Sequence, residues 1–95
     1  MSKAYQLIQA EFVKDHVLRL CYADGVEILA DFGPYFKDLA TPKERVFARP
    51  ERFKRFKIYG DHALEWGHSA LVFSAERLRK GRSPGVLLLR PKAAA

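Results

Sequence analysis

The chain has 95 residues, 48% hydrophobic and 29% charged, with a formal net charge of +6. That is one domain's length and an ordinary globular composition rather than that of a disordered chain. No apolar run approaches the roughly 20 residues of a membrane helix, residues 1–6 lack the apolar stretch of a secretory leader, and the lone Cys21 forbids an internal disulfide.

Taken in chain order, residues 5–13 are strand-like, and Lys14-Asp15 turns them into the clearest local signal, a hairpin. Residues 16–22 alternate so that Leu18, Leu20 and Tyr22 share one face. Residues 26–32 do the same with Val26, Ile28, Ala30 and Phe32. Asp24-Gly25 between two alternating runs predicts a type I′ turn, which needs positive φ at both central residues. A three-stranded antiparallel meander is therefore expected at the N-terminus. Gly33-Pro34 ends its third strand.

Thr41-Pro42-Lys43-Glu44 has the form of a capping box, in which the Thr41 hydroxyl and the Glu44 carboxylate satisfy each other's backbone N–H. Pro50 interrupts the helix that follows. A second short helix is expected over residues 50–55, with Phe53 and Phe56 on one side. Residues 56–60 and 63–66 read as another hairpin around Gly60-Asp61-His62, with Leu64 and Trp66 inward. A small apolar patch, residues 70–73, follows Gly67-His68. Ser74 is a good N-cap for a helix over residues 75–80, and Gly81 suits its C-terminal end. After the break at Ser83-Pro84-Gly85, residues 86–89 form either a last edge strand or a segment that docks on a partner. The fold class expected is α+β: a small antiparallel sheet, built from the meander and a second hairpin, with short helices. A single domain would cover residues 1–92, and residues 93–95 read as a disordered tail.

The order of these motifs resembles a bacterial family catalogued as domain of unknown function 2442. The resemblance covers roughly residues 5–80. It rests on the turn Asp24-Gly25-Val26-Glu27, on Asp31-Phe32-Gly33-Pro34-Tyr35-Phe36, on Pro50-Glu51-Arg52-Phe53 and on Leu64-Glu65-Trp66. The stretch Trp66-Gly67-His68-Ser69-Ala70-Leu71 stands where relatives read Trp-Pro-Asn-Gly before an apolar patch. The resemblance implies a small α+β domain with a twisted antiparallel sheet. Some relatives carry a helix-turn-helix DNA-binding domain after it. Relatives are often encoded beside another small protein, which implies a two-protein or antitoxin-like complex. It implies no catalytic or ligand residues and no cofactor.

Charge is divided unevenly. Residues 1–44 hold five Lys/Arg against seven Asp/Glu; residues 45–95 hold twelve against four. A basic face calls for an anionic partner. Arg49, Arg52, Lys54, Arg55 and Lys57 interleave with Phe53, Phe56 and Tyr59, and a second group, Arg77, Arg79, Lys80 and Arg82, follows. Cations neutralise phosphates and aromatic rings stack on bases. The same alternation arises when the rings fill the core and the cations face water. Asp61-His62 with His68 offers a His–carboxylate pair for acid–base chemistry, but its spacing matches no ligand motif.

The reading that follows is a cytoplasmic, non-enzymatic binding module that acts in a complex with a small protein partner or with itself. Its alternative is nucleic-acid binding through Arg49, Arg52, Lys54, Arg55, Lys57, Arg77, Arg79 and Lys80. An enzyme built on His62 or His68 is the third. No metal is implied.

Overall fold

The computed structural model describes residues 5–89, so the tail expected at residues 93–95 lies outside them. Strands β1 (Leu7–Lys14), β2 (Val17–Tyr22) and β3 (Glu27–Asp31) form the expected meander. Leu18, Leu20 and Tyr22 of β2 are all buried, as their alternation requires. The turn between β1 and β2 places Asp15 in the left-handed region, φ 47°.

The second turn is not type I′. Three residues, 23–25, lie between the hydrogen-bonded Tyr22 and Val26: Gly25 N donates to the Tyr22 carbonyl and Tyr22 N to that of Val26, both at 2.9 Å. Within this loop only Gly25 takes a positive φ, 89°. A three-residue loop reaches the sheet's twist with one left-handed residue at its end, so Asp24 has no need of that conformation. Its Oδ1 accepts from Val26 N instead.

After β3, Gly33-Pro34 opens a helical turn rather than a plain break. The segment Tyr35–Leu39 is wound with the wider π pattern, and Ala40 N reaches back to the Tyr35 carbonyl. It brings Phe36 into the core. The capping box forms as its residue types dictate: Glu44 N donates to Thr41 Oγ1 at 3.2 Å and Thr41 N to Glu44 Oε1 at 3.0 Å. The tight 3-10 segment Glu44–Ala48 and helix α1 (Pro50–Phe53) follow.

Strands β4 (Lys57–Tyr59), β5 (Ala63–Trp66) and β6 (Leu71–Ser74) make a second antiparallel sheet in that order. Helix α2 (Ala75–Arg79) leaves the end of β6, capped by Ser74 Oγ on Arg77 N. Strand β7 (Leu87–Leu89) then returns to the first sheet and pairs antiparallel with β3, for the order β1-β2-β3-β7. The last apolar run is thus an edge strand of its own domain. Val86 is buried, while Leu87, Leu88 and Leu89 remain 52%, 38% and 38% exposed.

Between the sheets lies an aromatic core. Phe32, Phe53, Trp66 and Phe73 meet at centroid distances of 5.0–6.1 Å, mostly edge-to-face, the arrangement that the ring quadrupole favours. Its polar atoms are satisfied: Trp66 Nε1 donates to the Phe53 carbonyl and Tyr22 Oη to that of Ala75, each at 2.8 Å. His16 packs against Phe36 and Phe53, and its Nε2 lies 2.7 Å from the Ala48 carbonyl. A carbonyl only accepts, so that nitrogen carries the proton.

Candidate anion-binding cleft

The aromatic core also sets the walls of a cleft. Phe53 is fully buried under Trp66, which fixes α1 against the end of β5. With its buried face committed, α1 presents Arg52 outward, Arg55 follows at its end, and Lys57 opens β4. Facing them are Glu65 and Trp66 of β5, then Gly67 and His68 of the following turn, with Phe47 from the 3-10 segment. These residues enclose about 400 Å³. That lies within the usual range of small-ligand sites.

The far wall depends on glycine. Gly67 has φ 63°, and a Cβ placed there would sit 2.5 Å from Phe47 Cζ. Both the left-handed backbone and the approach of the Phe47 ring exclude a side chain. His68 and Ser69 share the left-handed region, at φ 54° and 70°. Each costs roughly 1–2 kcal/mol in a non-glycine residue. The turn is held by Ala70 N on the Gly67 carbonyl and by Ser69 Oγ on Glu65 Oε1, the latter at 2.8 Å.

Lys57 stands directly opposite Glu65 in the β4–β5 ladder. The two nevertheless form no ion pair. Among the described residues, Arg52, Arg55 and Lys57 have no carboxylate within 4 Å. Three cations and one carboxylate, Glu65, therefore line one concavity, and none of the three cations is ion-paired among the described residues.

The second basic group behaves differently. Arg79 Nη2 lies 2.8 Å from Asp24 Oδ2, across the sheet at the β2–β3 turn, and its guanidinium sits 5.1 Å from the Tyr22 ring centroid. That hydrogen bond holds the Asp24 carboxyl below its ordinary range. Lys80 pairs with Glu76 at 2.9 Å, one turn back on α2, and this raises its pKa. Lys54, from the first group, is turned away over the Phe12 ring at 4.7 Å. Arg49 holds the N-cap position of α1 with no side-chain cap and does not line the cleft. Arg77 borders a separate hollow of about 200 Å³ with Tyr35, Ser74 and Ser83.

The two groups are attached at opposite ends of the second sheet. Lys57 pairs with Glu65 near the start of β6, whereas α2 leaves from Ser74, opposite Ala63. Of the interleaved rings, Phe53 is buried and Phe56 is half-buried against Trp66, so neither is a stacking platform. Tyr59 alone of the three is exposed, beside His62.

His62 and His68 are both exposed and flank opposite ends of β5. His62 Nδ1 is 2.8 Å from the Gly60 carbonyl. No cluster of three or more His, Cys, Asp or Glu gathers among the described residues. Burial, reinforced by Glu27 and Glu11, pushes the Cys21 thiol up, away from nucleophilic use.

Sequence reasoning singled out Arg52, Arg55 and Lys57. It passed over Phe47, Glu65 and Gly67. A signal for Glu65 was present: pairing 56–60 with 63–66 across their turn sets Lys57 opposite it. Phe47 had none, because its place depends on the path of residues 33–50.

No family model matches the chain, and neither does any curated protein or solved structure. The resemblance to the family of unknown function stands on its quoted motifs alone. No helix among the described residues is long and apolar enough to cross a membrane.

Proposed function

We propose that the protein is a binding module whose cleft takes the backbone of a single-stranded nucleic acid. One observation carries this reading: Arg52, Arg55 and Lys57 line one concavity and have no ion-pair partner among the described residues. Unpaired arginines are suited to phosphate, because the guanidinium fork matches two of its oxygens. A duplex is wide and presents a convex backbone. A cleft of this size suits one strand with a splayed base.

Fluorescence anisotropy with a labelled strand of about ten nucleotides tests it. Three neutralised phosphates give a log–log salt slope of about −2, so affinity falls roughly 20-fold between 50 and 200 mM salt. Arg52→Ala with Arg55→Ala is expected to weaken binding at least about tenfold at low salt and to flatten that slope to about −0.7. Absence of binding by the wild type at 50 mM salt sinks the reading.

A second reading, a module that works in a complex with a small protein, is supported by β7. Among the described residues its outer edge pairs with no further strand, it carries three exposed leucines, and such edges accept strands from other chains. The two readings use different surfaces and are compatible. A monomer by light scattering, together with no partner recovered from the native host, removes the second.

A further inference from the structure

Glu65 is out of place in a cleft built only to attract phosphate. Its carboxylate shares the concavity with Arg52, Arg55 and Lys57 and repels the ligand they attract. Its cross-strand neighbour Lys57 does not neutralise it. It is half-buried, so its direction is set by packing and by the Ser69 hydroxyl on Oε1. Among the described residues no donor reaches Oε2. An acceptor fixed on one side and open on the other is suited to receive an N–H from a ligand.

Resting on the nucleic-acid reading above, we infer that Glu65 selects cytosine over thymine and uracil. On the edge that faces the major groove in a duplex, cytosine carries an N4 amine where thymine presents the O4 carbonyl, and a carboxylate meeting that edge pairs with the first and repels the second. The cations hold the sugar–phosphate chain, which has no sequence, and Glu65 reads the base that enters beside Phe47 and the edge of Trp66. The division of labour is the usual one between backbone and base contacts.

The test compares oligo(dC) and oligo(dT) probes of equal length by anisotropy at 50 mM salt. The wild type is expected to bind oligo(dC) roughly five- to tenfold more tightly. Glu65→Gln keeps an acceptor for Ser69 and presents an amide N–H₂ to the ligand, so the preference is expected to reverse toward oligo(dT). Glu65→Ala is expected to abolish it. Circular dichroism establishes that the variants fold, and the wild-type comparison stands without them.

Equal wild-type affinity for both probes, lost in the Arg52/Arg55 double variant, overturns the base selection and leaves the binding function standing. A preference for oligo(dC) that survives in folded Glu65→Gln also overturns it. Binding of neither probe removes both proposals.

Discussion

Arg79 and Lys80 each hold a carboxylate within 3 Å, Asp24 at 2.8 Å and Glu76 at 2.9 Å. Arg52, Arg55 and Lys57 hold none among the described residues, although Glu65 is near. The two stretches are alike in composition, and the fold separates them. Around α2 the cations complete local structure: Lys80 bridges one helical turn, and Arg79 ties α2 to the β2–β3 loop while covering Tyr22. Around α1 the cations face an open concavity. A run of positive residues thus leaves cations free to meet an anion only where the fold gives them no ion-pair partner.

The largest test of that difference is Gly67→Val. The new side chain meets the Phe47 ring and a φ that β-branched residues avoid. Stability is expected to fall by about 2–3 kcal/mol, read from urea midpoints, and strand binding is lost with the cleft. Unchanged binding would show that the ligand does not sit there. Ser74→Ala is the next in size. It removes the α2 cap, so stability is expected to drop by about 1 kcal/mol while strand affinity stays within twofold of wild type. A large loss of affinity would place the binding surface on α2.

The smallest effect is a dependence on pH. Asp24 is held below its unfolded range, so the Arg79 contact contributes fully above the unfolded pKa of about 4 and is lost as pH falls through the lower folded value. Asp24→Asn is expected to flatten the acid limb of the stability profile slightly and to leave affinity unaltered. A profile identical to wild type would show that this pair is neutralised without consequence for folding.

Local signals of the fold were legible wherever a few adjacent residues decide the outcome. Thr41 with Glu44, Ser74 before α2 and the alternation in β2 and β3 each specify their own neighbourhood. Strand β6 was not legible: its Leu71-Val72-Phe73 belongs to a short apolar patch that suits strand or helix equally, and β5 decides it by pairing with it. The turn at Asp24-Gly25 was read from its dipeptide, but the extra residue Ala23 selects a three-residue loop. Half of the cleft was visible as charge. The other half is made by long-range placement: Phe47 reaches the cleft only because Gly67 has no side chain in its way. Of the three interleaved rings, which suit either base stacking or the core, Phe53 and Phe56 pack inward and Tyr59 stays exposed, since a domain this small has few other residues to fill its core.

The pairing of β7 with β3 sets an order of events during synthesis. Asp31 meets Leu87 across the first sheet, so β3 has one strand neighbour until residues 87–89 have been made. Strands β1 to β3 are consecutive and close through short turns, whereas this last pairing closes a loop that contains the entire second sheet. Closing a longer loop adds only logarithmically to the entropy cost, but the contact is far more non-local than the hairpins of either sheet. The domain is therefore sealed from its far end, and a nascent chain stopped before Val86 leaves the ribosome with the hydrogen-bonding edge of β3 uncovered.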